Sequence, residues 1–178
     1  MSPVSDDLLV KKSAEGDLGS FKELVIRHEG KVAGVIKSML GSTEEAGDIG
    51  QDVFIRFFES LNKFRGESAV GTYLVRIAIN LSLNELKRRK RRFLFFSSEE
   101  AGTKVATQEN HVDLKEMLEY EFNQLEPDFK AVATLRLIEG YSTEETADLL
   151  QIPLGTVLSR LSRAQKKLRN GLQKHLNP

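Results

Sequence analysis

The stretch from residue 140 to residue 169 constrains the fold of this chain most, because it specifies two short helices joined by a tight turn. Ser142 is followed three residues later by Glu145, which is the spacing of a capping box. In a capping box the hydroxyl accepts a backbone N–H and the carboxylate accepts the N–H of the cap residue, so a helix is predicted to begin here. Pro153 and Gly155 are predicted to end that helix and turn the chain.

The second predicted helix begins with Thr156 as its cap and is amphipathic. Val157, Leu161, Ala164 and Leu168 recur at spacings of four, three and four residues, which places them on one buried face. The opposite face carries hydroxyl and cationic side chains, at Ser159, Arg160, Ser162, Arg163, Lys166, Lys167 and Arg169. Such groups bind base edges and phosphates in a DNA major groove. The two helices are therefore predicted to form a helix-turn-helix that reads duplex DNA.

The alternative is a plain helical hairpin with a solvated basic face, and the distribution of charge argues against it. Residues 113–148 contain 3 Lys or Arg and 10 Asp or Glu, whereas residues 149–178 contain 6 and 0. This separation suits a helix that docks on a polyanion while its supporting helices face elsewhere.

Composition excludes several other classes of protein. The chain has no cysteine, which excludes disulfides and thiolate metal sites. No apolar run approaches the ~20 residues of a membrane span, and the N-terminus has acids where a signal peptide needs basic residues. We therefore expect a cytoplasmic protein with no membrane contact of its own. Helical periodicity dominates throughout, so the predicted fold class is all-α.

The pattern predicts two small helical domains joined by a flexible linker. Residues 1–92 form the first domain, residues 93–112 lack a helical period and form the linker, and residues 113–178 form the second domain with the helix-turn-helix. Helices are expected in the first domain at about 6–14, 20–40, 43–61 and 68–92, and in the second at 113–125 and 127–139 before the helix-turn-helix.

The long fourth helix is mostly apolar and has one narrow polar ridge. At 100° per residue, the ridge residues fall within an arc of about 80°. They are Tyr73, Arg76, Asn80, Asn84, Lys87 and Arg91. Amides read base edges, rings stack on unpaired bases, and the basic run 87–92, which includes Arg88, suits phosphates.

Phe64 and Arg65 lie in the loop before this helix and add a further surface for stacking on bases. The structural alternative is that Tyr73 faces the core and that the basic helix end only complements the helix dipole. The absence of any acid from the ridge favours nucleic acid.

The third helix has an acidic side whose role the pattern leaves open. Asp48 and Asp52 have the i, i+4 spacing that could ligate a metal, but no histidine or second carboxylate pair has a matching spacing. A solvated face and a surface for a protein partner are the other two interpretations. The three histidines are scattered, and no catalytic array or phosphate-binding glycine loop is present.

Three segments together resemble the second and fourth regions of bacterial RNA polymerase sigma factors, specifically the compact extracytoplasmic-function (ECF) group. They read AGDIGQDVFIRFF, FRGESAVGTYLVRIAINLSLNELKRRKRR and LRLIEGYSTEETADLLQIPLGTVLSRLSRAQKKL. The resemblance covers nearly the whole chain. Tyr73 stands where the family usually has tryptophan, and Leu158 stands where lysine is common.

This resemblance implies a sigma factor that directs promoter-specific initiation, with core RNA polymerase and promoter DNA as partners and no enzymatic activity, cofactor or metal. The segment that matches the binding site for the β′ clamp helices contains Asp48, Ile49, Gln51, Asp52 and Phe54. The part that matches the minus-10 recognition and melting surface contains Phe64, Arg65, Glu67, Ser68, Tyr73, Arg76, Asn80, Asn84, Lys87, Arg88 and Arg91. The predicted minus-35 contacts are Thr156, Ser159, Arg160, Ser162, Arg163, Lys166 and Lys167. The β flap is implied as a second polymerase contact, and an anti-sigma factor is a further partner that the resemblance allows.

Two other functions remain open at this point. One is a helix-turn-helix regulator that binds duplex DNA without polymerase, and polymerase pull-down distinguishes it. The other is a helical hydrolase with Asp48 and Asp52 as metal ligands, which metal analysis distinguishes.

Overall fold

The computed structural model describes residues 4–96 and 113–176, and these residues form helices and no strands. The first helices are α1 (Asp6–Ala14), α2 (Leu18–Leu40), α3 (Glu44–Ser60), a 3-10 turn (Leu61–Lys63) and α4 (Val70–Phe96). The later ones are α5 (Leu114–Asn123), α6 (Pro127–Ala133), a π-helical turn (Thr134–Ile138), α7 (Thr143–Leu150) and α8 (Leu154–Leu176). The all-α prediction is confirmed, and residues 97–112 of the predicted linker lie outside the described residues.

Contacts divide the chain into two compact units, Met1–Ser82 and Leu83–Pro178, which are called the N-terminal unit and the C-terminal unit below. The division falls inside α4, so the two halves of that helix belong to different units. The helix ends at Phe96 and so extends past its predicted end at Arg92. No glycine or proline follows Arg92 in that stretch, and the helix therefore continues.

Side-chain caps set the beginnings of the first three helices. The Ser5 hydroxyl, the Asp17 carboxylate and the Thr43 hydroxyl each accept backbone N–H groups of the first turn that follows. Each cap of this kind stabilises a helix by about 1 kcal/mol. Gly41 ends α2 with φ of 76°, a backbone conformation that glycine adopts without steric cost.

The core of the N-terminal unit contains side chains of α2, α3 and the first half of α4. Phe57 of α3 is its largest fully buried residue. Aliphatic side chains with almost no exposure fill the rest, and they include Leu24, Val35, Ile36, Met39, Val53, Leu74, Val75 and Ile79. This core fixes the rotation of α3 and α4, so the acidic side of α3 and much of the polar ridge of α4 remain at the surface.

The C-terminal unit is organised around α8. Leu125, Ala133, Ala164 and Leu168 form a buried cluster, against which two phenylalanines of α5 and α6 pack. Val157 is also fully buried. The predicted apolar stripe of α8 therefore faces the core, with Leu161 only partly buried.

The helix-turn-helix is present, with a turn that differs from the predicted one. Both hydrogen bonds of the capping box form, from the Glu145 N–H to the Ser142 hydroxyl at 3.1 Å and from the Ser142 N–H to the Glu145 carboxylate at 2.7 Å. Gln151, with φ of 52°, ends α7 in the left-handed conformation. Pro153, whose carbonyl accepts the Val157 N–H at 3.2 Å, then precedes the first residue of α8.

The expectation that Thr156 caps the second helix is therefore wrong, because α8 begins at Leu154 and Thr156 lies in its first turn. Pro153 lacks the N–H that a helix interior requires but keeps its carbonyl, which suits a position just before a helix. No helix among the described residues is long and apolar enough to cross a membrane.

Candidate functional site

The recognition helix α8 exposes an arc of small and cationic side chains. Its exposed members are Gly155, Leu158, Ser159, Ser162, Arg163, Lys166, Lys167 and Arg169. Thr156 and Arg160 are half-buried. No acid occurs anywhere on the described part of α8, so the exposed arc is uniformly neutral or positive.

Two cations of α8 are bound by acids at the beginning of α6. Arg160 Nη2 lies 3.1 Å from the Asp128 carboxylate, and Lys167 Nζ lies 2.6 and 2.7 Å from the two carboxylate oxygens of Glu126. The Lys167 hydrogen bond, together with its positive charge, holds the pKa of the Glu126 carboxyl below its usual range.

The expectation that all seven polar side chains of α8 point to solvent together is therefore wrong for Arg160. Arg160 and Lys167 are seven residues apart, so they share one side of the helix, next to the buried residues Ala164 and Leu168. Arg163, Lys166 and Arg169 are exposed, and Lys167 is exposed but bound to Glu126. The position of Arg160 beside the apolar stripe was the signal in the sequence that could have identified this pairing.

The loop before α4 and the beginning of α4 enclose a cavity of about 290 Å³. The residues that line it are Lys63, Phe64, Arg65, Glu67, Ser68, Tyr73 and Arg76. Apart from Lys63, all of them belong to the predicted minus-10 surface. The Nε atom of Arg76 is buried and has no hydrogen-bond acceptor among the described residues. A buried unpaired donor at a cavity is a position where a ligand acceptor is favoured.

An aromatic cluster supports this cavity. The Phe64 ring meets the Tyr73 ring edge-on at a centroid distance of 5.1 Å, and both rings lie 5.9 Å from that of Phe57. The Tyr73 hydroxyl donates to the Ser60 hydroxyl at 3.3 Å, and Ser60 in turn donates to the Phe57 carbonyl at 2.9 Å. Tyr73 thus lines the cavity and also holds the loop, and sequence reasoning missed the contribution of Ser60.

The rest of the polar ridge lies outside the cavity along α4. Asn80, Asn84, Lys87 and Arg91 are exposed, as a binding surface requires. Arg88 lies beside the ridge and donates to Glu85 at 2.7 Å. The Glu85 side chain is 8% exposed.

Glu85 is a residue that sequence reasoning missed. The hydrogen bond from Arg88 is the main cause that lowers its pKa, and Arg89 adds a second hydrogen bond at 3.0 Å. Lys87 Nζ lies 3.1 Å from Asp128 within the C-terminal unit. Two cations of the predicted minus-10 surface therefore have acidic partners in the C-terminal unit.

The acidic side of α3 is a continuous exposed surface. Asp48, Gln51 and Asp52 are exposed, whereas Ile49 and Phe54 are half-buried. Gln51 and Phe54 also border an apolar groove of about 470 Å³ between α2 and α3. The described residues contain no group of three or more His, Asp or Glu side chains that could hold a metal ion. This surface therefore offers carboxylates beside an apolar groove, a combination that suits a protein partner.

Two segments of the chain, which carry these surfaces, each match one region of a class of transcription initiation protein, the sigma factors. Residues 24–92 match the Sigma-70 region 2 family, and residues 115–168 match the Sigma-70 region 4 family. The chain belongs to the sigma-70 family of RNA polymerase sigma factors, and to its ECF type.

Full-length relatives agree with this assignment. The RNA polymerase sigma-H factor of Pseudomonas aeruginosa is 34% identical, with 94% of each chain covered. The ECF RNA polymerase sigma-E factor of Haemophilus influenzae is 36% identical, with 96% of each chain covered. Sigma factors of this family bind core RNA polymerase and promoter DNA, and they are initiation factors that do not themselves catalyse a reaction.

Solved structures share the fold. CnrH in complex with the cytosolic domain of CnrY has a TM-score of 0.67 at 25% identity, covering 95% of this chain and 97% of that one. The sigma factor RpoE of Bartonella quintana, in complex with the anti-sigma factor NepR, has a TM-score of 0.66 at 24% identity, covering 86% of this chain and 96% of that one.

Proposed function

We propose that this chain initiates transcription from its own set of promoters through three surfaces, each assigned to a separate task. The acidic side of α3 binds the clamp helices of the polymerase β′ subunit. The cavity and ridge of α4 recognise and melt the minus-10 element, and α8 docks on the minus-35 duplex. Its partners, polymerase and promoter, place its activity in the cytoplasm.

The observation that carries this proposal is the cavity before α4. Its wall combines an aromatic cluster, an exposed arginine at position 65 and a buried Arg76 donor without an acceptor. An unstacked base needs this combination, since its π-face stacks on rings and its edge accepts hydrogen bonds. Unstacking costs a few kcal/mol per base, and edge contacts together with phosphate contacts offset that cost.

The exposed ridge gives the path of the captured strand. Asn80 and Asn84 offer both donors and acceptors for base edges, and Arg91 offers a cation for phosphates. The ridge is acid-free, and it begins at the cavity because Tyr73 and Arg76 line both. One single strand can therefore contact the cavity and then Asn80 in succession.

Two features support the docking of α8 on the minus-35 duplex. Its exposed arc contains no acid, and it is the second helix of a helix-turn-helix. The second helix of this motif enters the major groove with its N-terminal residues at the base edges. Ser159 and Ser162 are placed for base contacts, while Arg163 and Lys166 are placed for base edges or phosphates. Arg160, which Asp128 holds, is assigned a lesser share of the binding.

Run-off transcription with purified core polymerase on genomic fragments tests the proposal as a whole. We expect discrete transcripts that require both this chain and core enzyme. DNA binding without any core-dependent transcript would support the regulator that acts without polymerase.

The core-binding surface is tested by replacing Asp48 and Asp52 with lysine. Both carboxylates are exposed, so helicity should be unchanged while affinity for core polymerase falls at least tenfold in a pull-down titration. The matched control replaces Glu116 and Glu119, two exposed acids of α5, and should retain core binding. Equal loss in both variants would show that net charge, and not this surface, determines binding. Loss of a stoichiometric metal in the first variant would instead support a hydrolase.

A further inference from the structure

Two exposed apolar side chains, Leu154 and Leu158, interrupt the polar arc of α8. Leu158 is 50% exposed, although the other large aliphatic residues of the following turns, Leu161 and Leu168, turn toward the core. At 100° per residue, Leu158 lies about 100° from the buried Val157 and about 40° from the exposed Ser162. Its position on the helix therefore places it with the exposed polar residues and not with the buried stripe.

Gly155 and Ser162 beside Leu158 are small, whereas Leu154, one turn earlier, is itself 43% exposed. A Cβ added at Gly155, one turn before Leu158, would meet nothing within 4 Å, so the space at Gly155 is open. Ser159 directs its hydroxyl to the Thr156 carbonyl at 3.1 Å, back along its own helix. The isobutyl group of Leu158 is therefore accessible to a base edge that approaches this part of α8.

Scattered exposed leucines are common on protein surfaces, and exposure alone indicates no function. The position of Leu158 indicates a function, because it lies in the second turn of the helix that a helix-turn-helix inserts into the major groove. Arg163 and Lys166 follow on the exposed arc and can bind phosphates on either side. A surface with cations around it and no acid is complementary to DNA.

In the major groove, one base offers an apolar group, namely the C5-methyl of thymine. We infer that Leu158 is a specificity-determining residue that contacts the C5-methyl group of a thymine in the minus-35 element. This inference rests on the proposed docking of α8 on minus-35 duplex. It assigns to Leu158 a preference for one base at one position, on either strand.

The test uses the full chain bound to core RNA polymerase. A promoter library with a randomised minus-35 segment is first selected by this holoenzyme. Each thymine of the selected element is then replaced, one at a time, by deoxyuridine, which lacks only the methyl group. We expect one replacement to weaken promoter binding about fourfold, the change that corresponds to ~0.8 kcal/mol for one buried methyl-sized group.

Three variants test whether Leu158 is the residue that contacts this thymine methyl group. Leu158→Ala should bind the thymine promoter about fourfold less well and become insensitive to deoxyuridine at that position, as a double-mutant cycle of a direct contact requires. Leu158→Met should retain the sensitivity. Leu154→Ala removes a leucine that is 43% exposed one turn earlier, and it should also retain the sensitivity.

The outcomes separate the inference from the function on which it rests. Failure of the holoenzyme to select any minus-35 sequence would contradict the proposed function itself. A selected element whose thymines all tolerate deoxyuridine, or one that contains no thymine, would overturn the inference and leave the function standing. Undiminished sensitivity in Leu158→Ala would also overturn it, since another residue would then contact the methyl group.

Discussion

Asp128 is the residue on which two predicted DNA-binding cations converge. Lys87 Nζ and Arg160 Nη2 each lie 3.1 Å from its carboxylate. The carboxylate, 38% exposed, therefore competes with phosphates for both cations. Contacts between exposed groups of this kind are individually weak, so DNA can compete for them.

We expect Asp128→Asn to strengthen nonspecific binding of the full chain to duplex DNA. Arg160 and Lys87 then have no internal carboxylate, and each further phosphate contact steepens the dependence of log K on log salt by about 0.9. The measurement is a salt titration of binding. Asp148→Asn is the control, since it makes the same charge change at an exposed acid of α7. Equal slopes in the two variants would contradict a specific effect of Asp128.

Lys130 is a second residue whose environment gives a prediction. It is 3% exposed, its Nζ donates to the Asn123 side chain at 2.8 Å, and it lies 5.7 Å from the Phe122 ring centroid. Burial, with a smaller contribution from the nearby charge of Arg89, lowers the pKa of Lys130 to about 8. The native state therefore disfavours the protonated amine that the unfolded chain carries up to a pKa near 10.4.

Lys130→Met should stabilise the C-terminal unit by on the order of 2 kcal/mol at pH 7. The variant no longer buries a charged amine, and this gain exceeds the loss of the hydrogen bond to Asn123. Wild-type stability rises with pH between about 8 and 10.4, because the native state binds fewer protons there than the unfolded state. The advantage of the variant should therefore shrink across that range. Urea unfolding of both proteins from pH 7 to 10 measures it, and a constant difference would contradict the assigned cause.

At the scale of elements, the helix-turn-helix depends on local bonds more than on helix propensity. Helix α7 is only eight residues long, and isolated helices of that length are unstable in water. Its capping box satisfies backbone groups at its beginning, while Leu149 and Thr146 are buried against the rest of the unit. The cap therefore contributes directly to the position of α7 beneath α8.

Ser142→Ala should destabilise the C-terminal unit by about 1 kcal/mol, since the Glu145 N–H loses its acceptor at 3.1 Å. Hydrogen exchange of the amides in the first turn of α7 should accelerate by a comparable factor. Ser162→Ala is the control, because its exposed serine is not a cap and its stability should change by less than ~0.5 kcal/mol. Exchange unaffected in the first variant would show that the box makes no net contribution.

Most elements could be predicted from the sequence because their signals are local. The capping box, the i, i+3, i+4 stripe of α8 and the acid-free ridge of α4 depend on neighbours within one helix, and all three are present. What could not be predicted depends on residues distant in sequence. Arg160 pairs with an acid 32 residues earlier, and Tyr73 reaches Ser60 across a loop. Spacing within one helix carries no information about such partners.

For the whole molecule, the proposed function requires that melting and docking be separate steps on separate surfaces. The cavity and Asn80 lie in the N-terminal unit and α8 lies in the C-terminal unit, so base capture and docking use different residues. Base capture is needed only after the closed complex forms. Substitutions in the two units should therefore fail in different ways.

Asn80→Ala in the holoenzyme should leave protection of the minus-35 region nearly intact and prevent permanganate reactivity of thymines near the start site. A pre-melted template should restore much of its activity, because the variant loses base capture and keeps docking. Arg163→Ala, on the exposed arc of α8, should weaken initial binding by about 1 to 3 kcal/mol if it contacts guanine in a bidentate manner. A pre-melted bubble should help that variant far less, since docking precedes melting. Equal rescue of both variants would show that at least one of these surfaces is misassigned.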